Sequence, residues 1–88
     1  MQPNPMNNPN QSIQADGTLN QYQMHCLAML LKYLRTEGDS ADKGGQYDKA
    51  VRYFDLADSI DMAVSALSAG VATPKEKALI NRYLSSCK

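Results

Sequence analysis

The first run of regularly spaced apolar residues begins about a fifth of the way along the chain and has the three- and four-residue steps of one face of an α-helix. Thr18 or Asn20 can cap its start, because both side chains accept hydrogen bonds from a first helical turn. We predict this helix over about residues 19–36, ending near Gly38, with EGDSADKGG as the connection that follows. Its apolar stripe consists of Leu19, Tyr22, Cys26, Leu30 and Tyr33 or Leu34.

A second and longer stripe follows this connection without interruption. No proline or glycine lies between Gln46 and Ala69, so one continuous helix is predicted over residues 46–69, and Gly70 is well placed to end it. A helix of that length is about 36 Å long, at about 1.5 Å per residue. The stripe consists of Tyr47, Ala50, Val51, Phe54, Ala57, Ile60, Val64 and Leu67.

A third helix is predicted over residues 74–86 from its start signal. Thr73 as the cap, Pro74 at the first helical position and Glu76 three residues after the cap form a capping box. No segment has the pattern of a strand. Because the connections between the helices are short, the fold class is predicted as all-α, a small three-helix antiparallel bundle.

The N-terminal seventeen residues have a different composition from the rest of the chain. They hold three prolines, four asparagines and three glutamines among scattered apolar residues, so they are predicted to be a disordered tail, residues 1–17. The domain is then residues 18–88. The start of the chain has neither the basic residues nor the apolar run of a signal peptide, and no segment approaches the roughly 20 apolar residues that span a bilayer.

Charge is balanced overall but uneven along the chain. Residues 42–61 carry five aspartates, whereas residues 71–88 carry four basic residues and one glutamate. We expect the acidic and basic faces to attract each other within the bundle. A formal net charge of zero does not favour non-specific binding to nucleic acid.

Two cysteines and one histidine are the residues that most often carry chemistry, and their spacing predicts none here. Cys26 and Cys87 fit neither a zinc motif nor a redox pair, so we expect reduced thiols, Cys26 in the core and Cys87 at a frayed end. His25 has no acidic partner three or four residues away. The predictions are therefore no enzyme, no metal, no cofactor and a cytoplasmic location.

The start of the second helix carries a family resemblance. The pattern Gly45-x-Tyr47-x-x-Ala50-x-x-x-Phe54-x-x-Ala57 resembles the second half of a tetratricopeptide unit. With Asp42 ahead of it, the pattern over residues 42–57 also resembles the microtubule-interacting-and-trafficking domain, a single three-helix unit. The resemblance implies a helical hairpin in which a glycine opens the second helix, alanines allow close contact and an aromatic ring fills the gap.

The resemblance and the small size of the chain predict a helical adaptor or co-chaperone that binds another protein or a second copy of itself. A domain of this size has a core worth only about 3–5 kcal/mol, and such chains often rely on a partner. Similar hairpins occur as secretion co-chaperones and as bacterial regulators of transcription factors, and the chain ending with Arg82, Tyr83 and Cys87 is similar to the latter. The candidate partner-binding residues are large apolar residues outside the main stripes: Met24, Leu27, Met29, Leu31, Tyr53 and Met62.

The segment FDLADSIDM offers a third hypothesis. It resembles the attachment site of an acyl carrier protein, in which a serine at the start of a helix carries phosphopantetheine, and this resemblance makes Ser59 a candidate for modification. The helical periodicity, however, runs through Ser59 without a start signal, which favours an ordinary serine inside a long helix.

Overall fold

The computed structural model describes residues 9–87, and this part of the chain forms three antiparallel α-helices with no strand. The helices are α1 (Gln21–Lys43), α2 (Tyr47–Ser68) and α3 (Pro74–Leu84), preceded by a short 3-10 helix, Pro9–Gln11. The predicted all-α, three-helix antiparallel bundle is confirmed. None of the helices in residues 9–87 combines the length and the apolar character needed to cross a membrane.

The starts of α1 and α3 follow the cap residues of the sequence. Asn20 caps α1, and its side chain accepts a hydrogen bond from the Gln23 backbone N–H while the Gln23 side chain accepts one from the Asn20 backbone N–H. Thr73 and Glu76 make the same reciprocal pair at α3, where Pro74 occupies the first turn. Each capping box satisfies N–H groups that a helix start leaves without intrahelical partners.

The first helix is longer than predicted and continues through Gly38 to Lys43. Gly38 does not end the helix, because it is buried beneath the ring of Phe54 on α2. A Cβ atom at this position would lie 2.8 Å from Phe54 Cε1, closer than carbon atoms approach without a shift. Gly38 therefore serves as the contact point of two helices, and only Gly44–Gln46 separates α1 from α2.

We predict that Gly38→Ala destabilises the protein by about 1–2 kcal/mol although alanine is the better helix former, because the added methyl group displaces the Phe54 ring. Chemical denaturation followed by circular dichroism measures the change. In a Phe54→Ala background the same substitution should instead stabilise the protein by about 0.5–1 kcal/mol, since only the helix propensity remains. An equal effect in both backgrounds would show that the ring contact is not the cause.

Both connections use glycine in the left-handed region. Gly45 (φ 77°) follows α1, and the Gln46 N–H donates to the Ala41 carbonyl. Gly70 (φ 76°) follows α2 in the same way, and the Val71 N–H donates to the Ala66 carbonyl. These are Schellman motifs, which satisfy the last carbonyls of a helix and turn the chain back.

Helix α2 is the centre of the bundle. It packs extensively against α1 and also against α3, whereas α1 and α3 touch each other much less. Ala57, Ile60 and Ala63 on α2 are fully buried, as are Ile80 and Leu84 on α3. Because α3 rests mainly on α2, it leaves a groove on each of its two sides.

The part of the predicted disordered tail that the structure describes, residues 9–17, is ordered. The side chain of Gln23 is fully buried and donates to the backbone carbonyls of Asn10 (3.2 Å) and Ser12 (2.6 Å). The Ile13 N–H donates to Asn81 Oδ1 on α3 at 2.7 Å. These bonds offset the entropy of ordering the segment. Residues 1–8 of the predicted tail lie outside the described residues.

Candidate functional site

The six candidate partner-binding residues have different surroundings in the fold. Three methionines are well exposed: Met24 (48%), Met29 (52%) and Met62 (69%). Leu31 and Tyr53 are half-buried, and the ammonium group of Lys49 lies 6.0 Å from the centroid of the Tyr53 ring. The structure does not bring the six residues together into one surface.

Leu27 differs from the other five candidates in its burial. It belongs to the core at 3% exposure, and it also forms part of the lining of a groove beside α3. The buried face of α1 is displaced from the predicted stripe and shares only Leu34 with it. It includes small and polar residues that a count of large apolar positions overlooks. It consists of Gln23, Leu27, Leu34, Gly38 and Ala41.

Four residues of the predicted stripe, Tyr22, Cys26, Leu30 and Tyr33, line an open groove beside α3, the α1–α3 groove. Its volume is about 680 Å³, and three of its large side chains are exposed on α1, namely Tyr22 (45%), Met29 and Tyr33 (56%). Tyr22 and Tyr33 belong to the apolar stripe that the sequence predicts, and the fold leaves both exposed at this groove. The lining is completed by His25, Cys26, Leu27, Leu30, Tyr83, Ser86 and Cys87.

A second groove, the α2–α3 groove, lies on the other side of α3. It has a volume of about 560 Å³ and an apolar floor, with charged groups from α3 along it. Met62 is the only candidate partner-binding residue in its lining. The lining residues are Leu56, Ser59, Met62, Lys75, Glu76, Ala78, Leu79 and Arg82.

The two cysteines are paired, which corrects the expectation of two reduced thiols. Cys26 and Cys87 form a disulfide with a Cα–Cα distance of 6.3 Å, within the range that disulfides require. Cys87 is 5% exposed, so it does not lie at a frayed end. The fold brings the end of the described chain beside the first turns of α1, a proximity that linear spacing does not reveal. The disulfide forms part of the lining of the α1–α3 groove.

The expected pairing of acidic and basic faces within the bundle is not found in residues 9–87. The one salt bridge there joins Arg35 on α1 to Asp61 on α2, at 3.4 Å between exposed side chains. Lys75 and Arg82 on α3 form no salt bridge in this part of the chain. Arg82 instead lies 5.9 Å from the centroid of the Tyr83 ring.

The remaining candidate polar residues lie apart from one another. Ser59 is exposed well inside α2, so the continuous helix predicted through it is confirmed. His25 is exposed on α1 at the α1–α3 groove. The pKa of Asp16 is lowered because the Thr18 hydroxyl and backbone N–H donate to its carboxylate, and this turn precedes α1 outside both grooves.

The residues behind the family resemblance occupy the α1–α2 contact. Ala50 and Ala57 are buried, and the Phe54 ring covers Gly38. Comparison of the chain with protein-family models, with curated proteins and with solved structures finds no match in any of the three. The tetratricopeptide-like or trafficking-domain-like hairpin therefore stays a prediction from residues 42–57.

Proposed function

We propose that this protein is a non-catalytic interaction module, an adaptor or co-chaperone, that binds an amphipathic helix of a partner protein in the α1–α3 groove. The observation that carries the proposal is the exposure of Tyr22, Met29 and Tyr33 along one groove. Tyrosine and methionine are enriched at protein interfaces, where tyrosine supplies large contact area and methionine adapts to the shape of the partner. An apolar helix face laid into such a groove buries both surfaces.

The groove also has the form of a binding site for a helix rather than for a small molecule. It is an open channel between two helices, and its apolar side chains follow α1 over about three turns, from Tyr22 to Tyr33. A partner helix with apolar residues at three- and four-residue steps would meet this row along its whole length.

The carrier-protein hypothesis receives no comparable support. Attachment of phosphopantetheine in that family requires a serine at the start of a helix, and Ser59 lies well inside α2. A regulator of a transcription factor remains an alternative with the same mode of binding, because the transcription factor could supply the amphipathic helix. Identification of the bound partner decides between an adaptor and a regulator.

The predicted cytoplasmic location stays a prediction, and the Cys26–Cys87 disulfide bears directly on it. Structural disulfides persist in oxidising compartments and are rare in the reducing cytosol. Alkylation of thiols in freshly lysed cells, followed by mass spectrometry of the chain, measures the state of the pair. If both cysteines are found alkylated, the thiols are reduced in the cell and the disulfide is absent from the working protein.

Photo-crosslinking in the source cells tests the proposal. With a photoreactive phenylalanine analogue at Met29 or at Tyr33, we expect a crosslink to one defined protein, which mass spectrometry then identifies. The same analogue at Asp39, an exposed position of α1 outside both grooves, should give no such product. Equal crosslinking from all three positions would contradict a specific groove.

Binding measurements with the identified partner give the matched comparison. Met29→Ala or Tyr33→Ala is expected to weaken binding at least about tenfold, the size of a moderate interface hot spot. Met24→Ala should have no effect, although Met24 is on the same helix and is similarly exposed, because it lies outside the α1–α3 groove. If Met24→Ala weakened binding and Met29→Ala did not, the partner would bind outside this groove.

A further inference from the structure

The surface around the α2–α3 groove carries charge of opposite sign on its two helices. On α2, Asp55 and Asp58 are exposed, and the helical register places both on the same side as Met62, which lines the groove. On α3, Lys75 and Arg82 line the groove together with Leu79. Glu76 also lines it, but its carboxylate accepts hydrogen bonds from the Thr73 N–H and hydroxyl in the capping box. An acidic row and a basic row therefore flank an apolar floor.

These four charged side chains have no ionic partner in the described chain. The salt bridge of residues 9–87 joins Arg35 to Asp61, away from this groove, and neither Asp55, Asp58, Lys75 nor Arg82 takes part in one. Met62, between the two rows, is the most exposed of the methionines in the described chain. We call the surface formed by Asp55, Asp58, Met62, Lys75, Leu79 and Arg82 the α2–α3 face.

We propose that the α2–α3 face is a homodimer interface, occupied by the same face of a second copy. An acidic partner would meet the basic row but would be repelled by the aspartates, and a basic partner would meet the reverse problem. A partner that carries both rows in mirrored order satisfies both, and a second copy of this chain has that pattern. Two-fold dimers use one self-complementary patch in this way.

The charge pattern also selects the symmetry axis. A two-fold axis parallel to the helices places α3 of the partner over α2, so that the basic row of each copy faces the acidic row of the other. A two-fold axis in the same interface but perpendicular to the helices places α2 over α2 and opposes like charges, which costs binding energy. In the favoured arrangement the Met62 side chains become buried near the centre, where interface hot spots concentrate.

Analytical ultracentrifugation of the full chain with rows of reversed charge tests the proposal. The acidic variant carries Lys75→Asp and Arg82→Asp, and the basic variant carries Asp55→Lys and Asp58→Lys. The wild type should dimerise, and each variant alone should dissociate with a dissociation constant raised about tenfold or more, because each then opposes like charges. An equimolar mixture of the two variants should dimerise again, since both rows are then complementary.

A variant with reversed charges elsewhere controls for net charge alone. Asp39→Lys with Asp42→Lys gives the same net charge as the basic variant, but both positions lie outside the α2–α3 groove. This control should form homodimers like those of the wild type. Its heterodimers with the acidic variant should be weaker than those that the basic variant forms. Equal heterodimer formation with both would show simple charge attraction and overturn the proposal.

The other outcomes also decide the question. A wild-type chain that stays monomeric up to millimolar concentration overturns the proposal, as does a dimer that both reversed variants retain. If a variant loses its helical circular dichroism it is unfolded, and the test is then made on the dissociation constant of the wild-type dimer. Its dissociation constant should rise severalfold with added salt, which screens exposed ion pairs, and Met62→Asp should raise it more strongly. A salt-independent dimer that tolerates Met62→Asp would use another surface.

Discussion

Replacing Cys87 with serine is expected to lower the free energy of unfolding by about 4 kcal/mol, the largest effect we predict for a single substitution. The disulfide joins residues 61 positions apart, and closing so long a loop removes much of the freedom of the unfolded chain. For a chain of this size the loss corresponds to a melting temperature lower by roughly 15–30 °C. Thermal unfolding followed by circular dichroism measures it.

The reductant provides the matched control for this prediction. A dithiol reductant should lower the melting temperature of the wild type to near that of Cys87→Ser, and it should leave the variant unchanged because no disulfide remains. The comparison can be fixed by alkylating both thiols of one wild-type sample after reduction and leaving a second sample oxidised. Identical melting temperatures of the two samples would contradict a stabilising disulfide.

The size of this effect matters because the core is small. A domain of about seventy residues gains only about 3–5 kcal/mol from its core, so the disulfide contributes as much as the net stability of the rest. It acts where α1 and α3 have few other contacts, and it forms part of the α1–α3 groove. Reduction should therefore weaken binding in that groove before the α1–α2 hairpin unfolds.

The sequence predicts those parts of this fold that depend on neighbouring residues. Thr73, Pro74 and Glu76 define the start of α3 because a capping box involves only residues within one turn. The unbroken register of α2 through Ser59 is equally local. Gly70 ends that helix through its backbone freedom, again a property of the residue itself.

The features that sequence did not predict depend on contacts between distant segments. Gly38 has the composition signal of a helix end, but the Phe54 ring on another helix makes it a packing position instead. Leu27 is buried and Tyr22 is exposed because the neighbouring helices determine which face of α1 is covered. The Cys26–Cys87 pair likewise requires the residues after α3 to lie beside α1. The candidate site could be predicted as exposed methionines, but not as grooves beside α3.

Gln23 is the clearest case of a residue whose role depends on distant contacts, and its replacement carries the second-largest expected effect. Its side chain is fully buried, donates to the carbonyls of Asn10 and Ser12, and accepts from the Asn20 N–H and the Gln14 side chain. Gln23→Ala should lower the free energy of unfolding by about 3 kcal/mol, since it leaves several of these groups without partners. Chemical denaturation measures the loss.

The control and a local readout separate this network from ordinary helix effects. Gln21→Ala, an exposed glutamine on the same turn, should change stability by no more than about 0.5 kcal/mol. Hydrogen exchange should show that Gln23→Ala removes protection at the Ile13 N–H, which donates to Asn81, while the core of α2 stays protected under native conditions. Retained protection at Ile13 would mean that α3 alone holds the N-terminal segment.

Gln23→Glu distinguishes lost volume from lost hydrogen bonds. The carboxylate has the shape of the amide but faces the carbonyls of Asn10 and Ser12, to which it cannot donate while ionised. Burial and these carbonyls should raise its pKa in the folded state above the unfolded value, so the folded state binds more protons. Stability should then be highest at acidic pH and should fall as pH rises, relative to wild type. A variant whose stability relative to wild type does not change with pH would show that the network tolerates an ionised group, and the ordering of residues 9–17 would then have to rest on packing rather than on the donors of Gln23.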